Sequence, residues 1–109
     1  MVKFEGFEFV DGGVCAAAGF TAGGVIAGIK AGNTTKRDLA MIYCAERCKA
    51  AALYTTNKVK GAPIYVTRKH LEDGYAQAVI VNSGNANTCN ENGIEIAEQM
   101  CELTAEALD

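Results

Sequence analysis

The stretch "YAQAVIVNSGNANTCNENGIEIAEQM" occupies residues 75–100, and its reading decides the fold. Residues 75–82 are mostly apolar and end on Val-Ile-Val-Asn, the best strand signal in the chain. Further on, Ile94, Ala97, Cys101, Ala105 and Leu108 recur at spacings of three and four, which is the stripe of an amphipathic helix. The connection "VNSGNANTCNENG" (81–93) holds five Asn and two Gly. Asn90 or Asn92 is placed to cap the helix that follows. Such a strand-to-helix loop has two readings. Its amides satisfy their own backbone and cap the helix, or the loop and the unpaired N–H groups of the helix start face an anion or a developing oxyanion. Composition alone favours the first.

Working outward, "LAMIYC" (39–44) is an apolar run of strand length, read as buried. The polar "ERC" (46–48) interrupts it, and "AALYTT" (51–56) reads as its antiparallel partner. Pro63 suits the first position of a helix, where a missing N–H costs no bond. Residues 64–71 are then a short helix or a strand, and 72–74 are a turn. Upstream, glycines divide 14–30 into short extended pieces with tight turns. Residues 31–38 are turn-like, and 1–11 read as a short strand. The expected class is α+β, with strands over the first two-thirds and one long helix at the end. No repeat, low-complexity linker or internal boundary divides residues 1–109, so a single unit is expected.

The chain has 109 residues, half of them apolar, and a net charge of −3. That is a globular composition of one-domain size. It carries no basic stripe for nucleic acid or an anionic membrane surface. The longest apolar stretch, 12–29, is broken by Gly19, Gly23, Gly24 and Gly28 and is a poor membrane helix. Five cysteines, an odd number, without a signal peptide predict reduced thiols and a cytoplasmic setting. Cys44 and Cys48 with the single histidine, His70, fall short of the four ligands zinc usually needs. They read as packing thiols and a surface residue. "AGFTAGG" (18–24) matches neither dinucleotide nor nucleotide phosphate-loop patterns, so its glycines are read as permitting close packing. No cofactor is expected.

Four segments in order carry a family resemblance: "GGVIAGIK" (23–30), "RDLAMIYC" (37–44), "ALYTTNKVKGAPIYVTRKHL" (52–71) and "AVIVNSGNANTC" (78–89). The chain resembles the bifunctional ornithine acetyltransferase / glutamate N-acetyltransferase family of cyclic arginine biosynthesis, from about Gly13 to Leu108. The resemblance implies part of a layered α/β/β/α sandwich. It implies a precursor that cuts itself before a threonine, whose hydroxyl becomes the nucleophile with its own α-amino group as base. The acetyl group passes from N-acetylornithine to that threonine and then to glutamate. An oxyanion hole stabilises the tetrahedral intermediates, at roughly 3–4 kcal/mol per donor.

None of Thr21, Thr34, Thr35, Thr55, Thr56, Thr67, Thr88 or Thr104 lies in a motif matching the cleavage site. The resemblance places that site beyond Asp109. The chain is therefore read as an N-terminal fragment, inactive alone, whose partner is the remainder of the precursor (the β subunit carrying the nucleophile). An oligomer of cleaved subunits is implied. A chain cut there should also expose an apolar face. The family often has Thr-Gly after its amide motif. In this chain Asn90 stands where that Thr would be, and Glu91, or a gap, where the Gly would be. The resemblance makes these two the candidate oxyanion-hole positions. Lys30, Thr55, Thr56 and Asn57 also match family segments, with no role assigned. Two rival readings are a non-catalytic module that binds a small molecule or a partner, and a threonine peptidase of related architecture. The amide motif and "TTNKVKGAP" (55–63) speak against the peptidase.

Overall fold

A computed structural model describes residues 4–109. A short 3-10 turn, Gly13–Ala16, precedes strand β1 (Phe20–Val25) and strand β2 (Leu39–Lys49). Helix α1 (Ala62–His70), strand β3 (Tyr75–Asn82) and helix α2 (Gly93–Leu108) follow. The sheet is antiparallel in the order β1-β2-β3. This is the expected α+β class.

The central strand explains two departures from the sequence reading. One edge of β2 pairs with β1, Phe20 opposite Cys44 through Val25 opposite Leu39. The other edge pairs with β3, Leu39 opposite Asn82 through Tyr43 opposite Ala78. Both edges are taken, so 51–56 cannot pair with β2, and it forms no strand. Leu53 is fully exposed, while the Arg68 guanidinium stacks 4.8 Å from the centre of the Tyr54 ring. Nor does "ERC" end the strand. A register shift between Tyr43 and Cys48 lets pairing resume at Cys48 opposite Ala76. Such a bulge absorbs extra residues on one strand. Arg47 reaches across to Asp73 at 2.9 Å and lies over the Tyr75 ring at 4.1 Å. The short strand expected at 1–11 is absent over 4–11, where Phe7 N–H closes a turn onto Phe4 O, and 1–3 lie outside the described residues.

Side chains of β3 alternate regularly. Ala76, Ala78, Ile80 and Asn82 are half-buried, while Val79 and Val81 stand exposed on the opposite face. Residues opposite one another in antiparallel strands share a face. Val79 and Val81 therefore lie beside Ile42 and Ala40, and those beside Ala22 and Gly24. On this small-residue apolar face Ala22, Ala40, Val79 and Val81 are exposed. Only Cys44, Val66 and Asp38 are buried among the described residues. The radius of gyration, 15.8 Å, exceeds the ~13 Å usual for a domain of about 100 residues.

Pro63 stands in the first turn of α1, which settles 62–70 as helix, and the basic last turn (Arg68, Lys69, His70) suits the negative end of its dipole. The two helices meet at both ends of α1. At their starts, a Cβ on Gly93 would lie 3.3 Å from Ala62 Cβ, so glycine permits the approach. At the other end, Glu98 accepts from Lys69 Nζ at 3.1 Å and meets His70 Nε2 at 2.8 Å. These bonds, His70 first and then Lys69, hold the Glu98 carboxyl below its ordinary value of 4.5. A depressed carboxyl stabilises the folded state above its unfolded pKa, and that contribution disappears as pH falls through the folded pKa. Glu98→Gln is thus expected to lower the denaturant midpoint slightly at pH 7. The difference should vanish as pH drops from 4.5 through the depressed value. A difference unchanged at strongly acid pH would remove the clasp from the account.

Candidate functional site

Three connections gather at one end of the sheet. The amide loop, residues 83–92, leaves β3 and enters α2. Asn82 and Asn87 pair reciprocally: Asn87 Nδ2 donates to Asn82 Oδ1 at 2.8 Å, and Asn82 Nδ2 to Asn87 Oδ1 at 3.3 Å. Further along, Asn90 Nδ2 donates to Asn85 Oδ1 at 3.4 Å. Three non-glycine residues adopt left-handed backbone here, Asn87 (φ 58°), Cys89 (φ 58°) and Asn92 (φ 54°). Such conformations cost about 1–3 kcal/mol each and persist where the surroundings over-determine them.

Those surroundings come from the other two connections. Asn87 O accepts Ala62 N–H at 2.8 Å, tying the loop to the start of α1. On the opposite side, Ser83 N–H donates to Asp38 O at 2.9 Å. The Asp38 carboxylate is buried and accepts Ala27 N–H at 2.6 Å, Ile29 N–H at 2.9 Å and Asn33 Nδ2 at 3.0 Å. The bond from Ala27 leads in holding its carboxyl below the ordinary 3.8, against the opposing cost of burial. At Gly84 (φ +85°) a Cβ would lie 3.3 Å from both the N and Cβ of Lys30. The four segments of the sequence resemblance thus meet at one place in the fold.

The helix start departs from expectation. Asn92 occupies the N-cap position of α2, yet no side chain caps it. The turn is closed by backbone alone, Gly93 N–H to Asn90 O at 3.3 Å and Ile96 N–H to Asn92 O at 3.0 Å. An uncapped helix start keeps N–H donors and the positive end of the dipole available to a ligand. Asn90 lines a cavity of about 110 Å³, which has an apolar side (Ile80, Ile96, Met100) and an amide side (Asn82, Asn87). It also lines a neighbouring one of about 340 Å³ that includes Lys60 and Glu95. Glu91 is exposed and lines neither. Of the two predicted positions, then, only Asn90 lines the cavities.

Other candidates lie elsewhere. Among the described residues no group of three or more His, Cys, Asp or Glu is placed to hold a metal. His70 meets Glu98 instead. Cys44 is buried and Cys48 half-buried, whereas Cys15 and Cys89 are exposed and do not pack as core thiols. The Cys48 thiol is pushed up by its hydrogen bond to Cys44, by burial and by nearby negative charge. Burial and then Glu98 raise Cys101 likewise. A raised thiol is a poor nucleophile. Thr55 Oγ1 accepts Asn57 N–H at 3.2 Å, a local turn. Sequence reasoning missed Asp38. Its signal is an acid placed directly before an apolar strand and after a polar turn that holds Asn33.

This α+β body, with its amide loop between the last strand and an uncapped helix, has the ornithine acetyltransferase-like fold, as its likeness to solved structures shows. The sequence model of the ArgJ family matches residues 21–109, and the chain belongs to that family. It is 49% identical over 102 residues to the arginine biosynthesis bifunctional protein ArgJ of Symbiobacterium thermophilum, covering 93% of this chain and 25% of that protein. The Gloeobacter violaceus protein of the same name is 47% identical over 104 residues, covering 94% and 25%. The chain spans about a quarter of the length of these curated relatives. It is also similar to the crystal structure of arginine biosynthesis bifunctional protein ArgJ from Bacillus halodurans, with a TM-score of 0.77 and 40% identity, over 85% of this chain and 48% of that one. Ornithine acetyltransferase complexed with ornithine from Mycobacterium tuberculosis gives a TM-score of 0.75 and 43% identity over the same shares.

Proposed function

We propose that the complete protein of which this chain is the N-terminal part is a glutamate N-acetyltransferase of arginine biosynthesis. It moves an acetyl group from N-acetylornithine to glutamate. The observation that carries this reading is the uncapped start of α2, which opens beside Asn90. In this reading a threonine hydroxyl, supplied by the downstream remainder after autocatalytic cleavage, attacks the acetyl carbonyl. The carbonyl oxygen gains the negative charge, and Asn90 Nδ2 with a backbone N–H at Glu91 donates to it. The carbonyl re-forms as the bond to the ornithine nitrogen breaks, and that nitrogen leaves carrying a proton. The glutamate amine then attacks the acetyl-threonine ester and releases the hydroxyl.

The remainder of the precursor is the partner that covers the apolar sheet face of Ala22, Ala40, Val79 and Val81. Residues 1–109 act as one unit of the assembly, an oligomer of cleaved subunits working in the cytoplasm without a cofactor. Neither nucleic acid nor membrane is a partner. Among the described residues no helix is long and apolar enough to cross a membrane.

The test measures acetyl transfer from N-acetylornithine to glutamate by this chain alone and by this chain co-expressed with the remainder. Activity is expected only with the remainder. Transfer by residues 1–109 alone would place the nucleophile inside them. A correctly folded pair without transfer would favour a binding module that recognises a small molecule without catalysis.

A further inference from the structure

We propose that Asp38 is the positioning residue of the amide loop. A buried carboxylate is costly unless its oxygens are satisfied. No cation pairs with Asp38 among the described residues; N–H donors alone satisfy it. Two of them, Ala27 and Ile29, flank Gly28, whose φ of +70° turns the chain around the carboxylate. The third, Asn33, is itself fixed by donating to Lys36 O at 2.8 Å and accepting Lys36 N–H at 3.1 Å. The carboxylate therefore sets the path of residues 27–33.

That path ends against the site. Lys30, next after Ile29, presses its backbone against Gly84 where a side chain would stand. The main chain of Asp38 holds the adjacent residue, Ser83, through its carbonyl, and its own N–H donates to Val25 O at 3.0 Å. Asp38 thus grips the loop twice, directly at Ser83 and through Lys30 at Gly84. The residue after Gly84 is Asn85, whose Oδ1 receives both Asn90 Nδ2 and Asn87 N–H. A shift of the 27–30 segment moves Gly84, then Asn85, then the Asn90 amide. Asp38 touches no substrate in this scheme. It sets where the donor points.

The activity arm of the test rests on the acetyl-transfer reading, and a second arm does not. In the complete protein, Asp38→Asn keeps the shape but turns one acceptor oxygen into a donor that faces an N–H group. Expected is a fall in kcat of roughly 10- to 100-fold, the scale of a misplacement near 1 Å, with KM for N-acetylornithine little changed. Cys44→Ala, at the far end of the β1–β2 pairing, serves as a control for stability loss alone and is expected to keep kcat. Asp38→Asn with kcat within about twofold of wild type, or losing no more than Cys44→Ala at equal thermal destabilisation, would overturn the proposal. If Asp38→Asn does not fold, Asn33→Ala removes one donor and should give the same pattern with a smaller fall; no fall overturns the proposal. If the wild-type protein transfers no acetyl group, the functional reading fails and amide hydrogen exchange decides. Faster exchange in Asp38→Asn over residues 83–87, with β3 unchanged, supports the positioning role, and unchanged exchange there refutes it.

Discussion

Asn90→Ala in the complete protein is expected to lower kcat for acetyl transfer by roughly 10- to 1,000-fold, with KM little affected. The ground-state carbonyl oxygen carries only a partial charge, and the tetrahedral intermediate carries a full one. A donor aimed at that oxygen therefore acts mainly on the barrier. The Asn90 side chain makes one long bond, 3.4 Å to Asn85, and the residue is exposed and lines both cavities. Removing it leaves no buried partner stranded, so folding stability should hardly change. Glu91→Ala is the contrasting variant. Only the backbone N–H is invoked at Glu91, its side chain is exposed, and kcat should stay within about twofold of wild type. Steady-state kinetics on the three proteins decides. Equal losses at both positions, or none at Asn90, would return the amides to capping and loop closure.

Gly84→Ala is expected to destabilise the protein by about 1–3 kcal/mol. Two costs act together. The residue sits at φ +85°, where a Cβ is strained whatever the space, and that Cβ would lie 3.3 Å from the Lys30 backbone nitrogen. The neighbour there is main chain held by the Asp38 network and cannot swing aside as a side-chain tip would. Gly23→Ala is the control. Gly23 lies in β1 with nothing within 4 Å of a new Cβ and no positive φ. At a compatible site, Gly→Ala stabilises by about 0.4–1 kcal/mol through the unfolded chain. Chemical denaturation of both variants should move the midpoint in opposite directions. A Gly84→Ala midpoint equal to wild type would mean that loop and Lys30 segment separate freely.

What the sequence disclosed, and what it hid, follows from the range of the forces involved. β3 and α2 were legible because their signals are local: alternation along Tyr75–Asn82 and a 3–4 spacing from Ile94 to Leu108. Pro63 suited a helix start for a local reason too, but the nine residues of α1 are too few for periodicity to decide between helix and strand. Residues 51–56 were misread because their composition suits a strand, whereas pairing depends on a free edge, and β2 had none. The bulge before Cys48 was hidden in the same way, since the polar residues that looked like a break are accommodated between strands. In the loop, composition announced the amides but not their pairing. Asn90 or Asn92 was expected to cap α2 through its side chain; neither does, and the left-handed backbone of Asn92 closes the turn through its carbonyl instead. The Asp38 network lay out of sight, because its partners are set by how three separate connections fold onto one another.

The grips on the amide loop come from Lys30, Asp38 and Ala62, all far from it along the chain. Closing such long intervals costs entropy that only an assembled sheet can repay. Hairpin pairing of β1 with β2 needs no such help, and β3 can then add to the open edge. The loop is therefore expected to order after the strands that hold it have paired. Translation imposes the same sequence of events, because the segments that hold the loop leave the ribosome before it does. A nascent chain would present Lys30, Asp38 and Ala62 before the residues they hold are made, so the Asn90 amide takes its place against segments already synthesised.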